Sequence, residues 1–139
     1  MTESEIHKIV KNWLSNQGRI LRIENTVSQG TVDAIIFYRG RSLMAEYKII
    51  RSGKIKVRKF QLSTAVDYTT YAMPNSQYNF FCASDGTPGI SVYSTAQIMN
   101  APCTFTTNDK ELMISLKNII PKHILRNSID FNAWLDQFN

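Results

Sequence analysis

Two short apolar segments interrupted by charge restrict this chain more than any other feature. Thr31 to Tyr38 is β-branched and aromatic and reads as a strand, Arg39-Gly40 turns it, and Leu43 to Ile50 reads as its partner. Side chains alternate along a strand, so Asp33 shares a face with Ile35 and Phe37. Glu46 and Lys48 point the same way as each other, between Met44 and Ile50. Carboxylates and a lysine on apolar strands are costly to bury unless they are paired or bound to metal. Neighbouring strands lie ~4.8 Å apart, so Asp33 and Glu46 are within reach of one shared cation. Two carboxylates plus waters suit Mg2+, which keeps much of its hydration and bridges phosphate oxygens. A lysine beside that ion can orient an attacking water or stabilise developing phosphate charge. Composition alone favours a plainer arrangement: a half-exposed salt bridge, Glu46 with Lys48 or Asp33 with an arginine.

The rest of the chain supplies a frame for that hairpin. Ile6, Ile9, Val10, Trp13 and Leu14 recur at helical spacing, predicting an amphipathic helix over 3–17, capped by Thr2 and ended by Gly18. Residues 19–25 read as a strand and Ser28-Gln29-Gly30 as turn material. Phe60, Thr64, Val66, Tyr68 and Tyr71 predict a helix that ends before Pro74. Tyr78 to Ala83 is a mostly apolar strand, Asp85 to Gly89 a turn, Ile90 to Tyr93 a short strand and Ser94 to Met99 a helical turn. Residues 109–120 fit either period, because Leu112, Ile114 and Leu116 alternate while Leu112, Leu116 and Ile119 suit a helix. Phe131, Trp134, Leu135 and Phe138 predict a last helix capped by Ser128, its stripe either core or a dimer face. The order is helix, three-strand antiparallel meander, helix, and a strand that the helical crossover lets run parallel to the third.

At 139 residues the chain is one domain long, with 43% apolar residues to build a core without disulfides or a structural metal. Cys82 reads as a buried thiol and Cys103 as a loop residue; no CxxC occurs, so no zinc site is expected. His7 and His123 read as surface or boundary residues rather than ligands. No signal region and no long apolar run occurs, so the expectation is a soluble, cytoplasmic protein with no membrane partner. The net charge is +5, and eight of the 16 basic residues lie between Arg39 and Lys59, with Glu46 the only acid there. Arg51, Lys54, Lys56, Arg58 and Lys59 read as a loop and helix start, either an ordinary solvated segment or, directly after the candidate strand, one that would hold a nucleic-acid backbone.

Gly30-Thr31-Val32-Asp33, thirteen residues, then Glu46-Tyr47-Lys48 resembles the signature of the PD-(D/E)XK nuclease superfamily, whose αβββαβ core the predicted elements match. Ser28 to Ile36 followed by Ala45-Glu46-Tyr47-Lys48 looks like archaeal Holliday-junction resolvases. It also looks like the virus-type replication-repair nuclease domain, in which a glycine, basic residues and a glutamine follow the lysine, here Gly53, Lys54, Lys56 and Gln61. Val32 stands where proline is usual, and the gap from Lys48 to Gln61 is somewhat long. The resemblance covers residues 3 to about 93, leaving 94–139 as an extension with extra C-terminal helices. It implies an α/β restriction-endonuclease-like fold with a central mixed sheet flanked by helices. It implies a Mg2+-dependent endonuclease, with Mn2+ able to substitute, acting on branched or Holliday-junction DNA as a homodimer. Asp33, Glu46 and the Tyr47 carbonyl would hold the metal. Lys48 would position water or stabilise charge, and Gln61 would orient Lys48 or the water. A glutamate on the first helix would be a further ligand. Glu3 lies on the core-facing side, whereas Glu5 has a structural explanation as the Thr2-x-x-Glu5 capping box. Arg22 and Ser28 flank the site and would touch phosphate. Two other classes stay open: a non-catalytic nucleic-acid-binding module on the same fold, and an interaction protein whose basic segment binds an acidic partner.

Overall fold

The computed structural model describes residues 1–23, 33–71, 79–106 and 110–137. The elements in chain order are α1 (Glu3–Leu14), β1 (Arg19–Arg22), β2 (Ala34–Tyr38), β3 (Arg41–Ile49), β4 (Lys54–Arg58), α2 (Lys59–Tyr71), β5 (Asn79–Ser84), β6 (Ile90–Ser94), α3 (Thr95–Met99), β7 (Cys103–Phe105), β8 (Glu111–Ser115), β9 (His123–Leu125) and α4 (Ser128–Asp136). The starts and ends expected at residues 24, 25, 31, 32 and 78 fall outside the described residues.

Six strands form the main sheet in the order β1-β2-β3-β5-β6-β9. The meander β1-β2-β3 is antiparallel, as the short turns require, and β5 runs parallel to β3 after the α2 crossover. The result is a mixed sheet with helices on its faces, the expected fold class. Strand alternation then divides the side chains between two cores. One packs Ala34, Ile36, Leu43, Ala45, Tyr47, Phe80, Cys82 and Val92 against Ile6, Val10 and Leu14 of α1 and Phe131, Trp134 and Leu135 of α4. The other packs Phe81, Ala83 and Tyr93 against Ala65, Ile98 and a second, three-stranded sheet, β4-β8-β7. The Phe131-Trp134-Leu135 stripe is therefore core rather than an exposed face; Phe138 lies outside the described residues. No helix among the described residues is long and apolar enough to cross a membrane.

Several local expectations are corrected. The first helix stops at Leu14, where Ser15 takes a left-handed φ of 53° and caps it, rather than running to Gly18. Gly18 has another purpose: a Cβ there would sit 2.3 Å from the Phe37 carbonyl oxygen, so this glycine lets the chain pass close to β2. The Thr2/Glu5 capping box forms as expected. The last helix is capped by Asn127, whose side chain accepts from the Asp130 N–H at 2.9 Å, and not by Ser128. The basic segment after Ile50 is not a loop: Lys54–Arg58 is a strand, paired with β8 over its whole length. Cys103 opens strand β7. The ambiguous stretch after residue 109 is resolved by pairing, because β8 turns Leu112 and Ile114 into the second core. Residues after 94 thus add strands as well as helices, and β9 completes an edge of the main sheet.

Candidate active site

Asp33 immediately precedes β2, and its backbone N–H donates to Ala45 O at 3.1 Å, carrying the β2–β3 ladder one residue further. That pairing sets Asp33 beside Glu46. The Asp33 Oδ2 atom accepts from the Tyr47 N–H at 2.9 Å, so the carboxylate is tied to the middle of the Glu46-Tyr47-Lys48 triplet. Glu46 and Lys48 share the face that looks towards the second core, and both are buried, at 1% and 7% exposure, a degree rare for a carboxylate and an ammonium. Tyr47 points the other way, into the α1 core.

Gln61, in the first turn of α2, joins the pieces. Its Oε1 accepts from Lys48 Nζ at 2.8 Å and from the Arg58 N–H at 3.0 Å, while its Nε2 donates to Glu46 Oε2 at 3.1 Å. The lysine is thereby held beside the glutamate without a direct ion pair that would consume both. The second Glu46 oxygen, Oε1, is buried with no hydrogen-bond partner among the described residues. Burial pushes the Glu46 carboxyl well up from its ordinary value, and the Asp33 charge adds to that. Lys48 pulls the other way, while the neighbouring Asp33 side chain and Glu3 also raise it. A cation or a proton at this point would relieve both the crowding of charge and the unpartnered oxygen.

The structure distinguishes the two N-terminal glutamates. Glu3 is half-buried with its carboxyl pushed up by burial, and it feels Lys48, Asp33, Arg22 and Arg58, so it faces the cluster. Glu5 is exposed and turned into the capping box with Thr2 and towards the N-terminal amine; the geometry does not bring it to the carboxylates. Arg22 lies with its guanidinium carbon 5.5 Å from the Tyr47 ring centre, on the α1 side of the sheet, and its charge acts on Glu3. Ser28 lies outside the described residues. Lys54, Lys56 and Arg58 are exposed on β4, Arg51 is exposed at the turn before it, and Lys59 lies 4.8 Å from the Phe105 ring centre. Among the described residues no group of three His, Cys, Asp or Glu side chains forms a ready metal cage. What the geometry offers a cation is the Asp33–Glu46 pair with one unpartnered oxygen, and Glu3 beyond it.

One contact was not foreseen. His7 Nδ1 and the Tyr47 hydroxyl are 2.9 Å apart, in an edge-on ring contact that pins α1 to β3. Burial lowers the His7 pKa and the Arg22 charge adds to this, favouring the neutral ring in that contact. The helical step from Glu3 to His7 carried the signal, since it puts both residues on the side of α1 that meets the sheet.

No family model matches the chain, and no curated protein matches it in sequence. Solved structures do match. The Holliday junction resolvase of Archaeoglobus fulgidus, an archaeal hyperthermophile, superposes with a TM-score of 0.53 at 8% identity, over 78% of this chain and 86% of that one. A bacterial homing endonuclease superposes at 0.44 and 12% identity over 98% of this chain and 88% of its own, a likeness too loose to carry an argument. The resolvase establishes the fold alone. The six-stranded mixed sheet, with α1 before the meander and α2 in the crossover, is a restriction-endonuclease-like fold.

Proposed function

We infer that this chain is a metal-dependent nuclease that hydrolyses phosphodiester bonds of DNA, with Mg2+ as the natural ion and branched DNA as the preferred substrate. The observation that carries the reading is the cluster in which Gln61 bridges Glu46 and Lys48 and Asp33 is tied to the Tyr47 N–H between them, with one buried Glu46 oxygen left without a partner among the described residues. An inert structural site would not retain two crowded carboxylates and a buried lysine, because apolar residues of similar size would be at least as stable there. The fold shared with a Holliday junction resolvase supports the same reading.

Asp33, Glu46 and the Tyr47 carbonyl would hold the ion, with Glu3 as a further ligand. The ion would supply Lewis-acid stabilisation of the phosphate and a more acidic water. Lys48 Nζ, fixed by Gln61, would meet the charge that gathers on the phosphate oxygens as water attacks phosphorus and the bond to the leaving sugar oxygen breaks. Two copies related by a two-fold axis would suit a junction with two symmetric cuts.

The test is incubation of linear, nicked, branched and four-way DNA with Mg2+, Mn2+, Ca2+ or EDTA, together with the Asp33→Asn and Glu46→Gln variants. Cleavage is expected in Mg2+ and Mn2+ and absent in EDTA. Ca2+ should support binding with little turnover, because its looser coordination places water and phosphate less strictly. Equal cleavage in EDTA and Mg2+, or near-wild-type cleavage by either variant, removes the mechanism. Binding without cleavage in every metal leaves a nucleic-acid-binding module on the same fold.

A further inference from the structure

Strand β4 alternates in charge and in burial at once. Lys54, Lys56 and Arg58 are exposed, while Ile55 and Val57 are fully buried in the second core. The buried pair fixes which way the strand faces, and five paired positions with β8, from Lys54↔Ser115 to Arg58↔Glu111, hold it in the smaller sheet. Three cations therefore project from one rigid face at steps of ~6.8 Å, twice the rise per strand residue. That step is close to the through-space separation of successive phosphates along one nucleic-acid strand. The Arg58 end of the row is anchored at the catalytic cluster, because the Arg58 N–H and Lys48 Nζ donate to the same Gln61 oxygen.

We propose that the exposed face of β4 is a phosphate ladder, in which Arg58, Lys56 and Lys54 engage consecutive phosphates of one strand and lead it to Lys48 and Glu46. The proposal rests on the nuclease reading for what happens at the end of the ladder, but the ladder itself is a matter of binding. A strand-borne row costs less ordering on association than the same cations on a free loop. It also makes a directional statement: the contacted phosphates form one unbroken run on one side of the site. Glu111, directly across from Arg58 and half-buried on the same face, opposes an incoming phosphate and sets a limit on affinity at that rung.

The experiment measures binding to a short defined DNA in Ca2+, as a function of salt, for the full chain and for Lys54→Gln, Lys56→Gln, their arginine counterparts, Glu111→Gln and, as an off-ladder control, Lys122→Gln. Each ladder glutamine is expected to make the log–log salt slope shallower by about one unit. The arginine versions should restore the slope, Glu111→Gln should tighten binding, and Lys122→Gln should change nothing. Single neutral methylphosphonates walked along the DNA should weaken wild-type binding at adjacent positions only. One of those positions should fall silent in Lys56→Gln and its neighbour in Lys54→Gln. Scattered interference, or ladder variants indistinguishable from Lys122→Gln, overturns the ladder even if Mg2+-dependent cleavage is found. An intact run of interference without cleavage in any metal upholds the ladder while the nuclease reading falls.

Discussion

On one face of β3, Ala45 and Tyr47 sit in a closed apolar layer with α1 and α4; on the other, Glu46 and Lys48 sit where the apolar layer runs out. Towards β5 and β6 that second face is sealed by Phe81, Ala83 and Tyr93 packing on the smaller sheet. Towards β2 and β1 it opens, with Ile35 and Met44 half-buried and Phe37 and Leu21 at 44% and 54% exposure. The difference shows how a fold carries an unfavourable group. The odd-numbered residues of β3 fasten the strand, and the even-numbered ones are then held in surroundings they would not choose.

The largest effect that would break this division is on reaction rate. Asp33→Asn keeps an acceptor for the Tyr47 N–H but removes a charge, so single-turnover cleavage should fall by about a thousandfold or more, roughly 4 kcal/mol of barrier. Filter binding should show the DNA still held; a parallel loss of binding would mean that the carboxylate serves the ground state. Next comes the closed face. Phe131→Ala should destabilise the protein by about 3–5 kcal/mol in urea unfolding, because a fully buried ring against Trp13 and Trp134 leaves a cavity. A loss under about 1 kcal/mol would show a layer much looser than the packing implies.

Glu46→Gln sharpens the contrast from the other side. The Glu46 carboxyl in the folded protein keeps a proton that the unfolded chain releases near its ordinary value of 4.5. Wild-type stability in EDTA should therefore fall as pH rises from that value through the raised native one, by up to about 1.4 kcal/mol per pH unit. The glutamine variant should lack that slope and be the more stable protein at neutral pH while being catalytically dead. Urea midpoints across the neutral range decide it, and identical slopes for the two proteins would reject it. The smallest effect is Tyr47→Phe, which removes the bond to His7 and should cost about 1 kcal/mol of stability in the same assay.

Much of this was legible in residue order. The apolar run Ile35-Ile36-Phe37 with Asp33 before it, and Glu46 and Lys48 two apart, located the hairpin and the cluster, because period-two patterning is local and strong. What escaped notice depended on partners far along the chain. Lys54-Ile55-Lys56-Val57-Arg58 alternates as plainly as any strand, yet its charge suggested a loop, and only pairing with β8 and burial of Ile55 and Val57 make the strand worth forming. β7 and β9 are three residues each, too short for a periodic signal, and exist by docking onto longer neighbours. Asn127 and Ser128 are both good capping residues, so composition could not choose between them. Gln61 was visible as a residue, but its three-way contact with Glu46, Lys48 and Arg58 arises where two elements meet.

The packing of α1 on α4 bears on how the molecule comes into being. Trp13 and Phe131, with ring centres 5.9 Å apart, come from opposite ends of the described chain, and β9, which pairs with Ile90 at the sheet edge, directly precedes α4. During synthesis the helix that carries Glu3 and the meander β1-β2-β3 on which it packs therefore emerge long before α4, which covers the remaining side of that helix. Contacts so distant in sequence form slowly because loop closure must precede them. The nascent chain would pass through a stage with its meander assembled and only the α4-facing side of the first helix bare. Docking of α4 would then come late, and a nascent chain that stalled before residue 123 would expose apolar surface of the kind that chaperones bind.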